Sequence, residues 1–220
     1  MTRDKQARKK GKKKDQGRRG SVTGGAQMNG FIDIVAELLL DAGLPEASLF
    51  VKSRLEIPGY FRPEKRWDLL VVHRGILVAA LEFKSQTGSF GNNSNNRIEE
   101  AIGIGADART AFREGAFKPS PRPWTGFFVL LEDAEKSTRP VRVKEPHFTV
   151  FEELRSISYA GRYEHLCLRL VREGLYDSAA VLLATPQRPG DYREPNQEVA
   201  FRALAASIVG RVSATLSLER

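Results

Sequence analysis

The chain has one cysteine, Cys167, among 220 residues, so no internal disulfide framework can form. It also has no Cys/His ligand pairs of the spacing that holds structural zinc, and His73, His147 and His165 show no mutual spacing suggesting a catalytic dyad or a metal cluster. No apolar run approaches the ~20 residues of a membrane helix, and no hydrophobic segment follows the basic start, which excludes a membrane partner and a secretory signal. No glycine-rich nucleotide loop, G-x-S-x-G elbow or sustained repeat is present, removing NTPase, esterase and solenoid readings. What remains is an intracellular protein, cytoplasmic in its expected location, long enough for one good core.

Charge is unevenly placed. Residues 1–20 hold ten Lys and Arg against Asp4 and Asp15, which accounts for the whole formal charge of +8, and the other 200 residues carry 25 basic and 25 acidic side chains. We therefore divide the chain into a basic N-terminal segment, 1–20, and a single domain, 21–220. The Lys9–Lys14 run suits sequence-independent attraction to phosphates, the alternative being a solvated tail.

The most informative stretch is W-D-L-L-V-V-H-R-G-I-L-V-A-A-L-E-F-K-S-Q, from Trp67 to Gln86. Leu69–Val72 and Ile76–Leu81 are continuous apolar runs, expected of neighbouring strands covered by helices on both faces. Asp68, Glu82 and Lys84 interrupt them. Charges in such a place must compensate one another or hold a metal. Asp and Glu are hard oxygen ligands suited to Mg²⁺, and a lysine two residues after the Glu projects from the same side of its strand. The pattern implies a Mg²⁺-dependent DNA nuclease. An ion pair at a sheet edge, with Asp68 merely opening a strand, is the bland alternative.

Turn length decides whether Asp68 joins the other two. A two-residue turn, Arg74-Gly75, would pair His73 with Ile76 and set Asp68 opposite Leu81, on the wrong face. A three-residue loop, His73-Arg74-Gly75 with Gly75 left-handed, sets Asp68 opposite Ala80 and diagonal to Glu82, roughly 7–8 Å away at the backbone. The second register is the one expected.

Gly17–Gly30 is glycine-rich and reads as a loop before a helix over about 31–42, with Phe31, Ile34, Val35, Leu38 and Leu39 on one stripe. Glu37 on that helix is a candidate third metal carboxylate, or else part of a solvated face. Gly88–Asn96 reads as a polar loop before a helix over about 97–113. Gln86, Asn92, Asn93, Asn95, Asn96 and Arg97 are candidates for DNA contact, because amides pair with adenine and Arg with guanine, although loop asparagines also simply form turns. Trp124–Asp133 reads as a buried strand beside the hairpin. In the basic connector that follows, Arg139, Arg142 and Lys144 are candidates for phosphate binding. Tyr163–Val171, Tyr176–Leu183 and Asn196–Val212 read as helical segments forming core and a dimer surface.

Residues at this point resemble a known family. The stretches that carry the likeness are D-Q-G-R-R-G-S-V-T-G-G-A-Q-M-N-G-F from Asp15, R-W-D-L-L-V-V from Arg66, and L-E-F-K-S-Q-T-G-S-F-G-N-N-S-N-N-R-I-E-E-A-I-G from Leu81, with L-L-E-D-A-E-K-S-T-R-P-V from Leu130 and L-V-R-E-G-L-Y-D-S-A-A from Leu170. Through most of its length the chain resembles the XhoI-like type II restriction endonucleases, which are PD-(D/E)xK nucleases. That resemblance implies an α/β fold with a restriction-endonuclease-like core, a central mixed β-sheet flanked by helices. It implies a bacterial homodimer that cuts double-stranded DNA within the palindrome CTCGAG using Mg²⁺, alongside a cognate DNA methyltransferase. By position, the family's Asp, Glu and Lys fall on Asp68, Glu82 and Lys84; the superfamily's proline is replaced by Trp67. Family members extend further upstream of the region around Arg8. Two other functions compete: a repair or junction-resolving nuclease of the same fold, and a non-catalytic nucleic-acid-binding protein in which the three charges form a structural ion cluster.

Overall fold

Two parallel and three antiparallel strand pairs make the sheet that organises this chain, described here from a computed structural model. The structure describes residues 16–185, 188 and 190–218; side chains of 16–27 and of Asn92 are not described, and the Lys9–Lys14 run lies outside the described residues. In order come α1 (Gln16–Asp41), β1 (Leu49–Phe50), β2 (Glu56–Pro58), β3 (Glu64–Arg66), β4 (Leu69–His73), β5 (Ile76–Gln86) and α2 (Phe90–Arg113). Then follow β6 (Trp124–Glu132), α3 (Glu135–Thr138), α4 (Tyr159–Arg172), β7 (Ser178–Ala184), β8 (Tyr192–Arg193) and α5 (Phe201–Ser217). The main sheet runs β1-β4-β5-β6-β7-β8, with β5, β6 and β7 mutually parallel and the other pairs antiparallel, while β2 and β3 form a separate two-stranded sheet. This is the α/β architecture expected, a mixed sheet with helices on both faces.

Strand periodicity splits the core in two. Leu70, Ala80, Phe127, Val129, Leu131, Val181 and Leu183 face α2 and α4, whereas Leu69, Val71, Leu81, Phe83, Phe128, Leu130 and Leu182 face α1 and α5. Each fully buried Leu or Phe contributes about 1.5–3 kcal/mol. Side chains of the strands themselves leave Gly126 no room for one of its own: an added Cβ would lie 2.4 Å from the Trp124 ring and 2.5 Å from Leu81 Cδ1.

The hairpin turn is not the three-residue loop expected. His73 pairs with Ile76 across a two-residue turn in which Arg74 has φ 50° and Gly75 φ 77°, both positive as a type I′ turn requires. That turn alone would send Asp68 to the wrong face. A β-bulge reverses the outcome: Val72 pairs with Leu77 but Val71 pairs with Ala79, leaving Val78 as the extra residue, and Leu69 then pairs with Leu81. One step further along this register, Asp68 stands across from Glu82 itself. The face was expected correctly, by the wrong route.

Three other boundaries differ. The glycine-rich segment from Gly17 lies within α1. The asparagines of 92–96 lie in the first turns of α2, which begins at Phe90; Phe90, Ser94 and Ala101 are buried at helical spacing, and this burial overrides the preference of Asn and Ser for turns. Tyr176–Leu183 is no helix: Ser178–Ala184 is strand β7, buried on both faces, and an apolar run covered on both sides has no periodicity to separate strand from helix. The segments near 163–171 and 196–212 are helical as expected, in α4 and α5, and Trp124–Glu132 is the strand beside the hairpin.

Candidate active site

Past the bulge, β5 alternates strictly. Ala79, Leu81 and Phe83 enter the α1/α5 core, and Ala80, Glu82, Lys84 and Gln86 take the other side. Asp68 reaches the same place from the entry of β4. Its backbone N–H donates to the Leu81 carbonyl at 3.3 Å, and its Oδ2 accepts from the Phe83 N–H at 2.8 Å, which fixes the carboxylate against β5. The structure therefore brings Asp68, Glu82 and Lys84 together.

Glu82 is 2% exposed, and both its oxygens are held by cations: Lys84 Nζ pairs with Oε1 and Lys65 Nζ donates to Oε2 at 2.8 Å. Burial, and next the Glu82 carboxylate, push the Asp68 carboxyl above the usual carboxylate range, against the opposing pull of the Phe83 N–H and the two lysines. Glu82 and Lys84 open into a cleft of about 540 Å³ whose other walls include Phe61, Arg62 and Lys65 before β4, and Glu100 and Asp107 on α2. Glu82 at this cleft, with Asp68 beside it, gives two carboxylates suited to a hard cation, and Lys65 and Lys84 give ammonium groups for a phosphate.

The remaining candidates are scattered. Glu37 is exposed on α1, whose buried Val35 and Leu39 pack on the opposite face of the sheet, and among the described residues no group of three or more His, Cys, Asp or Glu side chains converges to hold a metal. Glu37 is thus not gathered with Asp68 and Glu82. Gln86 is 3% exposed, and its Oε1 accepts from the Tyr163 hydroxyl; it shares the parity of Glu82 but is buried beneath α4. Asn93, Asn95 and Asn96 are exposed on the first turns of α2, Asn92 follows the same helix backbone, and Arg97 pairs with Glu100 at 2.6 Å. Arg139 and Arg142 are exposed and line a separate cleft of about 740 Å³ with Lys136, Gly88 and Tyr159, while Lys144 is exposed further along. His73 is buried against Ser48, its Nδ1 2.8 Å from the hydroxyl, a packing contact rather than part of the cleft.

Sequence reasoning missed Lys65. Its signal was faint but present: in Glu64-Lys65-Arg66 the outer two residues are exposed and Lys65 is half-buried, a strand alternation hidden in an all-charged tripeptide.

A mixed sheet with one acidic, lysine-bearing strand pair open on one face defines a restriction-endonuclease-like core. Comparison of sequences makes the assignment particular: residues 5–194 match the family "Restriction endonuclease XhoI", and the chain belongs to that family. It is 46% identical over 213 residues to the type II restriction enzyme BstVI of Geobacillus stearothermophilus, covering 93% of this chain and 95% of that one. It is 45% identical over 195 residues to the type II restriction enzyme XhoI of Xanthomonas vasicola, covering 87% and 73%. Over 123 residues, 55% of each chain, it is 54% identical to the type II restriction enzyme AbrI of Azospirillum brasilense. No solved structure matches the chain. Among the described residues, no helix is long and apolar enough to cross a membrane.

Proposed function

We propose that this protein is a type II site-specific deoxyribonuclease that hydrolyses double-stranded DNA within CTCGAG, using Mg²⁺ in a PD-(D/E)xK site formed by Asp68, Glu82 and Lys84. The observation that carries the reading is the juxtaposition of Asp68 with Glu82 by the bulged hairpin, Glu82 and Lys84 lining one cleft. Kinship with type II restriction enzymes along most of the chain supports the reaction class, and the XhoI relative supports the recognition site.

The donor set fits Mg²⁺. Two hard carboxylates stand across one strand pair, and burial, with Glu82 next to it, raises the pKa of the Asp68 carboxyl, a cost that a bound cation would offset. Mg²⁺ characteristically takes one or two protein carboxylates and completes its shell with water and substrate phosphate, so a third acidic residue is not required. Asp68 and Glu82 would hold it; when bound, it would offset charge on the phosphate oxygens and the leaving group. The chain's own residues supply the rest. The Phe83 N–H keeps the Asp68 carboxylate against the strand. Lys84 projects from the strand that carries Glu82, where its ammonium hydrogen-bonds and orients the water that attacks phosphorus in line with the leaving oxygen. Arg139 and Arg142 grip the backbone and position the duplex without reading sequence.

A palindromic site calls for a two-fold symmetric reader, so the active species is a homodimer with one subunit per half-site, and host DNA is protected by a methyltransferase of the same specificity. The test is digestion of an unmethylated plasmid carrying one CTCGAG, and of a plasmid lacking it, in Mg²⁺ and in EDTA. A single Mg²⁺-dependent cut in the first plasmid alone is expected. Metal-dependent cutting without regard to that sequence would favour a nuclease of other substrate choice, and binding without cleavage a DNA-binding protein.

A further inference from the structure

Glu82 is almost wholly buried, yet two ammonium groups attend its one negative charge. Lys84 comes from the same strand. Lys65 comes from β3, in the small sheet that pairs only with β2, and its side chain is 14% exposed. Its Nζ also donates to the Arg66 carbonyl and sits 5.3 Å from the centre of the Trp67 ring, so the ammonium is held on three sides. A buried carboxylate needs a cation close by, but one suffices for charge balance. The second offsets the charge of Asp68, which stands across the strand pair from Glu82.

The strand that carries Lys65 is itself anchored at the same cleft. Asp107, on α2 and 3% exposed, accepts the N–H groups of Tyr60 and Phe61 on Oδ1, both at 2.8 Å, and the Arg62 Nε on Oδ2 at 2.6 Å. The turn between β2 and β3 closes tightly around this carboxylate: a Cβ added to Gly59 would meet Asp107 Oδ2 at 2.7 Å and the Arg62 carbonyl at 2.8 Å. Three donors on one buried acid fix the turn, and through it the direction from which Lys65 reaches Glu82.

Resting on the assignment of Asp68, Glu82 and Lys84 made above, we propose that Lys65 is a second, positioning lysine of the cleavage site. It holds Glu82 through Oε2 while Lys84 holds Oε1, and Asp107 fixes the hairpin that presents it. Lys65 occupies an oxygen that a metal would share, so it opposes metal binding to the free protein while keeping the carboxylate in the orientation that cleavage uses. Removing it therefore moves two quantities in opposite directions, which general loosening of the site does not do.

Full-length wild type, Lys65→Met, Lys65→Arg, Asp107→Asn and Lys84→Met are compared by thermal melting, by Mn²⁺ binding to the DNA-free protein read by electron paramagnetic resonance, and by single-turnover cleavage of a CTCGAG duplex in Mg²⁺ at saturating enzyme. For Lys65→Met the expectation is Mn²⁺ bound at least about 3-fold more tightly with cleavage slowed at least about 30-fold; Lys65→Arg, which keeps the charge, recovers about 10-fold of that rate. Asp107→Asn shifts the rate in the same direction by less, since an amide oxygen still accepts the two N–H groups. Lys65→Met cleaving within about 3-fold of wild type while Lys84→Met is inactive overturns the inference and leaves the site assignment standing. Weaker Mn²⁺ binding together with slower cleavage also overturns it. Wild-type cleavage by Lys84→Met instead overturns the site assignment. If Lys65→Met fails to fold, Lys65→Arg carries the test: an unchanged melting temperature with cleavage slowed about 3-fold or more is expected, and a wild-type rate refutes the proposal.

Discussion

The two faces of β5 are built from alternate residues of one strand and do opposite things. Ala79, Leu81 and Phe83 are sealed against α1 and α5, where Phe128 packs against Phe31, Phe83 and Phe201 at ring separations of 4.9–5.7 Å. Glu82 and Lys84, one residue out of step, open into a cleft beside α2. The first face supplies cohesion and the second spends some of it, because Asp68 is buried and held near Glu82, a cost visible in its raised pKa. A strand sealed on one face, whose other face turns from apolar to charged only at Glu82 and Lys84, can keep a charged site rigid, since it is fixed from behind.

Substitutions confined to one face or the other test this contrast. The largest effect is expected at Glu82→Ala, which leaves Lys65 and Lys84 facing each other without their carboxylate: cleavage falls at least about 1,000-fold and stability drops by about 3 kcal/mol. Duplex cleavage and urea unfolding together measure both. Phe128→Ala on the sealed face costs about 3–5 kcal/mol in urea unfolding while the rate per folded molecule stays near wild type; loss of activity in fully folded protein would show that the faces are not separable. Gly126→Ala, which drives a methyl into the Trp124 ring, costs about 1–3 kcal/mol and likewise spares cleavage per folded molecule. Gly75→Ala, at φ 77° in the hairpin turn, costs about 1 kcal/mol by thermal melting without shifting the register beyond the bulge, which strand pairing on the far side of the turn holds. Smallest is Arg142→Ala, expected to weaken metal-free DNA binding equally for CTCGAG and unrelated duplexes and to lower the salt slope of that binding by about 1.

The same contrast explains what could be seen from residues alone. β4, β5 and β6 were legible because apolar runs bounded by charge mark strands buried on both sides, and Asp68, Glu82 and Lys84 stood out as charges such runs do not ordinarily tolerate. β7 was not, since Ser178–Ala184 has no polar punctuation to reveal its period. The turn was misjudged because a bulge at Val78 depends on how the helices press on the sheet, and Val-Ala-Ala carries no local mark of it. The start of α2 was obscured by asparagines whose own preference favours turns, and it was decided by burial of Phe90 and Ser94. Lys65 was invisible for a different reason: its partner is 17 positions away and the hairpin that delivers it is anchored from α2 by Asp107, a contact across 45 to 47 positions.

The central claim is that the open face of the bulged hairpin performs the cleavage, and the most direct test compares Asp68→Ala and Lys84→Ala with wild type in single-turnover cleavage of a CTCGAG duplex, alongside binding of that duplex without metal. The account predicts that both variants bind within about 3-fold of wild type and cleave at least about 1,000-fold more slowly in Mg²⁺. Cleavage by either folded variant at close to the wild-type rate would contradict it.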